Sequence, residues 1–401
     1  MAMQETMPVA GPIAASGAGP KAEGCDAAGG GCLFHPVVDF FCLGGGSLIL
    51  FALLAIFRPP VAAYPMVAAV MLALANIVNH PHFAHSYQIF YRNFADKAFG
   101  SHYDPVLRLR YIFAGIVVPI VLFGYFLGAV LLEDLRSLGL AVNLMAFLVG
   151  WHYVKQGYGM LIVCSVLKRQ FFKDTEKKLL LINAYVVWLA DWLIANWAVH
   201  ERDMWGLAYY TFDIPEQLAF FAMALGAGST ATMLWMLARK WWAEGRRLPV
   251  NGVTAYLVTL YAWLLLNIDP LFLLVIPACH SLQYLLVVWR YQLNADRDRA
   301  EQMKAAQPQT AGGGSFLASL GGKATARFTA FLVSGVALGY VGFWGLPKLL
   351  GAVIPVDQTV FGPTLFIFLC WIFINVHHYC LDNVMWRRGN PDTGRYLFAH
   401  R

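Results

Sequence analysis

The feature that most constrains this chain is a succession of long apolar segments with almost no charge inside them. They fall at about 37–57, 62–85, 107–131, 138–166, 179–199, 214–237, 252–268, 270–290, 325–346 and 360–386. Roughly 20 apolar residues in a helix span the hydrocarbon core of a bilayer, and only helices and closed barrels satisfy their backbone there. A β-barrel would show alternating segments of about ten residues, and none is visible. Composition agrees, with 59% hydrophobic and 13% charged residues, where a soluble domain carries about 25% charged. The expected fold class is all-α, a polytopic membrane helix bundle of about ten transmembrane helices.

The basic residues orient the bundle. Arg92, Lys97, Arg108 and Arg110 follow the second segment, and Lys168, Arg169, Lys173, Lys177 and Lys178 the fourth. Arg239, Lys240, Arg246 and Arg247 follow the sixth. Arg290, Arg297, Arg299, Lys304, Lys323 and Arg327 follow the eighth, and Arg387, Arg388, Arg395 and Arg401 the tenth. These are 23 of the 29 Lys and Arg, and the opposite loops hold only Arg58, Arg136, Arg202 and Lys348. Cytoplasmic loops collect Lys and Arg, which puts both termini in the cytoplasm. The net charge of +6 is therefore read as topology, and no nucleic-acid partner is expected. The expected location is integral and multi-pass, in a bacterial-type inner (plasma) membrane.

Four regions follow. Residues 1–35 are a Gly-, Ala- and Pro-rich tail expected to stay disordered, with no cleaved signal peptide. Residues 36–290 hold eight transmembrane helices. Residues 291–324, with AQPQTAGGGS at their centre, form a cytoplasmic linker. Residues 325–401 hold the final helix pair and a C-terminal tail. The seven cysteines include no CxxC pair, and Cys42, Cys164, Cys279, Cys370 and Cys380 lie in apolar segments, so no disulfide framework is expected. GGG at 44–46 is read as permitting close helix packing.

Ionisable residues inside spans are costly and are functional hypotheses by default. Seven of eleven histidines lie in or at the ends of spans: His80, His82 and His85 in NHPHFAHSYQ, His152 in GWHYVKQGYG, His280 in ACHSLQYL, and His377 and His378 in NVHHYCLDN. All occupy the second, fourth, eighth and tenth helices at one depth in the cytoplasmic half. Imidazole suits iron, copper and zinc, and helix bundles build metal sites from inward histidines. His82 and His85, three apart, are expected to share a face, and Pro81 to kink the helix. Four partners stand one turn on and are expected to fix ring tautomers: Gln88 after His85, Gln156 after His152, Gln283 after His280, and Asp382 after His378. Lys155 and Asp191 are candidate catalytic groups. Lys155 reads as a proton relay, substrate-anion contact, Schiff-base lysine or snorkelling lysine, and Asp191 as a ligand, a relay or the partner of Lys155. Asp39 reads as interfacial, and Asn79 and Asn375 as packing hydrogen-bonders.

The HPHxxH run and the later HH pair resemble the histidine boxes of integral-membrane di-iron hydroxylases and desaturases. That resemblance implies a pair of irons that activates dioxygen toward a lipid-like substrate, with His82, His85, His152, His280, His377 and His378 as ligands and His80 as a further one. The HxxxH and HxxHH boxes themselves are not reproduced, and the histidines spread over four helices. The leading expectation is a membrane iron-dependent oxygenase, hydroxylase or desaturase with a hydrophobic small-molecule or lipid substrate and an electron donor. The alternatives are a metal or haem transporter or chaperone, and a haem-binding electron-transfer protein, with haem, copper or zinc in place of iron.

Overall fold

The computed structural model describes residues 31–198, 201–204, 207–305, 313–387 and 389–398. Most of the 1–35 tail and the centre of the 291–324 linker thus lie outside the described residues. Nine helices among the described residues are long and apolar enough to cross a membrane, which makes this a multi-pass helical membrane protein. They are α1 (Pro36–Ile56), α2 (Val61–Tyr91), α3 (Pro105–Leu131), α4 (Leu135–Leu167), α5 (Asp174–Ala198), α6 (Glu216–Trp242), α8 (Phe272–Met303), α9 (Thr325–Val353) and α10 (Leu365–Met385).

The segment read as a seventh span is α7 (Val250–Leu266), which falls short of that length. It is α-helical over Val250–Tyr261 and narrows to a 3-10 helix over Ala262–Asn267. Asp269 follows at once and accepts hydrogen bonds from Leu271 N and from the Tyr64 hydroxyl. A carboxylate held in this way ends an apolar run early. The loop after α5 carries a hairpin, β1 (Glu201–Met204) antiparallel to β2 (Leu207–Tyr210), with Arg202 opposite Tyr209. The polar 291–324 stretch is helical on both sides of 306–312, because one helix continues to Ala305 and the next begins at Gly313.

Burial is uneven, and the unevenness places the site. α4, α8 and α10 are the most enclosed spans. Outward faces elsewhere carry exposed apolar side chains such as Ile120, Phe123, Phe221 and Trp235, as expected of surfaces facing lipid tails. α2 has two parts, Tyr64–Ala75 and Asn79–Tyr91, joined by a turn at 76–78. The first is exposed and the second is enclosed on nearly every side. Pro81 is the third residue of the second part, where backbone N–H groups have no intrahelical acceptor in any case. The break therefore falls just before the proline rather than at it.

Close approach of helices depends on glycine at two places. Gly44 has φ +152°, a conformation that L side chains rarely adopt, and a Cβ there would lie 3.1 Å from Ala255 Cα of α7. Gly335 of α9 lies against the His85 ring, where a Cβ would come within 2.2 Å of Cε1. Near the ends of α5 and α6, Lys240, 1% exposed, donates to Glu176 Oε2 at 2.8 Å. Asp39, read above as interfacial, is buried and accepts from Leu33 N at 2.6 Å and Phe34 N at 3.1 Å, so it orders the chain entering α1. Among the described residues five cysteines are free thiols, and Cys32 is disulfide-bonded.

Candidate metal centre

Side chains from three enclosed helices and the second part of α2 converge at the centre of the bundle. His82 (α2), His152 (α4), and His378 and Asp382 (α10) each offer a ligand atom, and these atoms all lie within 4.8 Å of one another. All four residues are buried. His82 Nε2 and His378 Nε2 are 2.9 Å apart. Asp382 Oδ2 lies 3.6 Å from His378 Nε2 and 4.0 Å from His152 Nδ1. His378 and Asp382 are one helical turn apart, so α10 delivers both from one face.

Neighbouring hydrogen bonds determine which lone pairs point inward. Ser281 Oγ donates to Asn79 Oδ1 at 2.7 Å. Its oxygen is then free to accept, and His82 Nδ1 lies 2.9 Å away. His82 is thus protonated on Nδ1, and Nε2 presents a bare lone pair to the group. A ligand histidine oriented through its other ring nitrogen is the usual arrangement at metal sites. Asp382 is held similarly. Tyr284 donates to its Oδ1 at 2.8 Å, and the Tyr284 hydroxyl is itself met by Ser86 Oγ in a short contact and by Trp386 Nε1 at 3.3 Å. Oδ2 is left without a hydrogen-bond partner, as are His152 Nε2 and His378 Nδ1. Buried polar atoms are nearly always paired. An inward-facing carboxylate oxygen without a partner, beside the facing Nε2 atoms of His82 and His378 and the His152 ring, is a donor set suited to a cation, and this group is able to hold a metal ion.

His280 borders the group without joining it. Its ring centroid is 5.3 Å from His82 and 5.0 Å from His152, and its two nitrogens have no partner. A small cavity beside it is lined by apolar side chains such as Phe51, Val258 and Ile276, with Tyr153, Thr259, Cys279, His280 and Gln283 contributing polar groups.

The structure does not bring the remaining three histidines to this group. His80 stacks on Phe343 of α9, with centroids 4.3 Å apart. His85 stacks on Phe331 at 4.1 Å and donates through Nδ1 to Gln88 Oε1 at 2.7 Å, the one-turn pairing expected for Gln88. His377 donates from Nε2 to Ala114 O at 3.0 Å and accepts from Tyr87 at Nδ1, so both nitrogens are used. His82 and His85 diverge although they are three apart. Three positions still leave a rotation of roughly 60° about the helix axis. On a helix enclosed all round, that is enough to give each ring a different neighbour.

The other partners also differ in role. Asp382 sits among the ligand atoms themselves. Gln156 turns from the His152 ring to His280 O at 3.0 Å and Gln283 Oε1 at 3.3 Å. Gln283 in turn donates to Leu43 O at 2.8 Å and accepts from Thr259. The two glutamines join α4, α7, α8 and α1 rather than fixing rings. Lys155 and Asp191 are half-buried on α4 and α5; no ion pair joins them among the described residues, and neither belongs to the four-residue group.

Sequence reasoning passed over Ser281 and Tyr284, and read Asn79 only as packing. The available signal was position, since Tyr284 follows His280 by one helical turn and Ser281 is its chain neighbour. The fold and site together define a multi-pass helical membrane protein with a buried three-histidine, one-aspartate group. Compared with protein-family models, curated proteins and solved structures, the chain matches none.

Proposed function

We propose that this protein is a membrane metalloenzyme that holds one iron at His82, His152, His378 and Asp382 and oxidises a hydrophobic substrate drawn from the bilayer. The observation that carries the reading is the inward lone pair of His82 Nε2, 2.9 Å from His378 Nε2 and beside the partnerless Asp382 Oδ2. Two nitrogens each about 2.1 Å from one ion are about 3 Å apart when they subtend roughly a right angle there. The spacing is compatible with one shared ion, and a mixed imidazole and carboxylate set is a common iron environment. The ring centroids of His82, His152 and His378 are 4.6 to 6.1 Å apart, which favours a bare ion over a porphyrin.

The exposed apolar side chains of the outer helix faces support contact with lipid, which would supply an apolar substrate. The bias of basic residues supports cytoplasmic termini in a plasma-type membrane, with the site in the inner half. Bound iron would act on oxygen as a Lewis acid and redox centre, while Ser281 and Tyr284 hold its ligands in place.

The test is elemental analysis with an absorption spectrum on detergent-purified protein prepared with metals available. The expected result is one iron per chain, no Soret band, and loss of the iron in His378→Ala. Protein that retains no metal under those conditions, or a Soret band, overturns the reading.

A further inference from the structure

Beside the metal group lies a phenol whose setting exceeds what holding a carboxylate requires. Tyr284 is 3% exposed, and its ring centroid is 4.2 Å from that of His82. Its hydroxyl donates to Asp382 Oδ1 at 2.8 Å. On its other side Trp386 donates its indole N–H to the same phenol oxygen at 3.3 Å, with ring centroids 6.0 Å apart. Trp386 is the C-terminal cap of α10 and is half-buried. Oxidisable rings therefore lead from the metal group toward the end of the bundle, and the inner one already has a proton acceptor in place.

We propose that Tyr284 and Trp386 form a one-electron relay between the metal centre and a small reductant at the surface. The relay rests on the reading of the four-residue group as a redox-active metal site. Taking an electron from a phenol is far easier when its proton leaves at the same time, and Asp382 Oδ1 is the acceptor within hydrogen-bond reach. Tyr284 would give one electron to an oxidised ion held by His82, His152, His378 and Asp382, lowering its charge by one. The Tyr284 O–H bond breaks, and the proton goes to Asp382 Oδ1, leaving a neutral phenoxyl and a carboxylic acid. An electron from the Trp386 indole then reduces the phenoxyl, and the proton returns from Asp382 to the phenol oxygen. A one-electron donor such as ascorbate reduces the indole and loses its own proton to water. In sum, one electron moves from donor to metal, and the protein is unchanged.

The experiment uses the full chain, purified in detergent and loaded with iron, with iron per chain measured first. Hydrogen peroxide serves as oxidant, taking electrons from the bound iron and ending as water; samples are frozen for EPR before and after ascorbate is added. The Trp386→Phe variant keeps an aromatic ring of lower volume and removes the oxidisable indole. It is expected to retain iron and to accumulate a tyrosyl-radical signal that decays several-fold more slowly on ascorbate addition than in the parent protein. Tyr284→Phe is expected to lose that signal, and Trp386→Tyr to restore faster decay. An iron-loaded Trp386→Phe protein with no tyrosyl signal, or with decay as fast as the parent, overturns the relay and leaves the metal reading intact. A signal unchanged in Tyr284→Phe also overturns it. Parent protein that keeps no iron removes both.

Discussion

The imidazoles of His82 and His378 meet nitrogen to nitrogen at 2.9 Å across 296 positions of chain. Beyond each other, neither of these nitrogens has a hydrogen-bond partner, and Asp382 Oδ2 lies 3.6 Å from His378 Nε2. Five expectations follow from this arrangement and from the helices that support it.

Metal retention should divide the histidines into two groups. His82→Ala, His152→Ala and His378→Ala each remove a ligand and should abolish stoichiometric metal in the purified protein. His80→Phe, His85→Gln and His377→Gln should leave metal per chain unchanged, because those rings are engaged elsewhere. Elemental analysis of the six variants checks this, and loss of metal in the second set would move the site.

Ser281→Ala should weaken metal binding without removing a ligand. The hydroxyl accepts the His82 Nδ1 proton, so its loss frees the ring to change tautomer and swing. Loss of such an orienting partner costs about 10–100-fold in metal affinity. Competition with a chelator of known affinity measures it.

Gly335→Ala should destabilise the fold while leaving the ligand residues untouched. The added methyl would come 2.2 Å from His85 Cε1, so α9 must move away from α2. Overpacking of this kind costs about 1–3 kcal/mol. A lower melting temperature in detergent is the expected outcome, whereas Gly124→Ala, with open space around it, should melt as the parent does.

Lys240→Met should be costly in a way that a second substitution repairs. Alone it leaves Glu176 without the ammonium 2.8 Å away. Stranding one member of a buried pair costs about 3–5 kcal/mol, whereas replacing both by apolar residues is often neutral. The double variant Lys240→Met with Glu176→Leu should therefore melt above the single one.

Stability should rise with pH on the alkaline side because of Lys97. This residue lies between α2 and α3, is 8% exposed, and donates from Nζ to Ile89 O and Phe90 O. Burial pushes its ammonium down from the usual 10.5 to about 8, with Arg92 adding to the fall and Asp392 opposing it. Between about pH 8 and 10.5 the unfolded chain holds the proton that the folded chain has released. Stability therefore increases with pH across that window. Unfolding measured at its two ends should show the rise, and Lys97→Met should flatten it.

The amino-acid sequence by itself determined the class of this protein and singled out the segments that carry its buried histidines. Long uncharged segments have only helices available to them in a bilayer, because every buried N–H and C=O must be satisfied within its own segment. Histidines at 80–85, 152, 280 and 377–378 stood out because ionisable groups are costly there. What the sequence could not determine was rotation. Helical periodicity gives each side chain an angle about its own axis, but not the angle at which that helix meets its neighbours. His377 and His378 are adjacent in the chain, yet packing sent one to Ala114 O and the other to His82. The same packing moved Asp382 in among the ligands, drew Gln156 and Gln283 to each other, and recruited Ser281 and Tyr284. Only tertiary contacts carry that information, because a lone pair becomes a ligand when a proton acceptor on another helix fixes its direction.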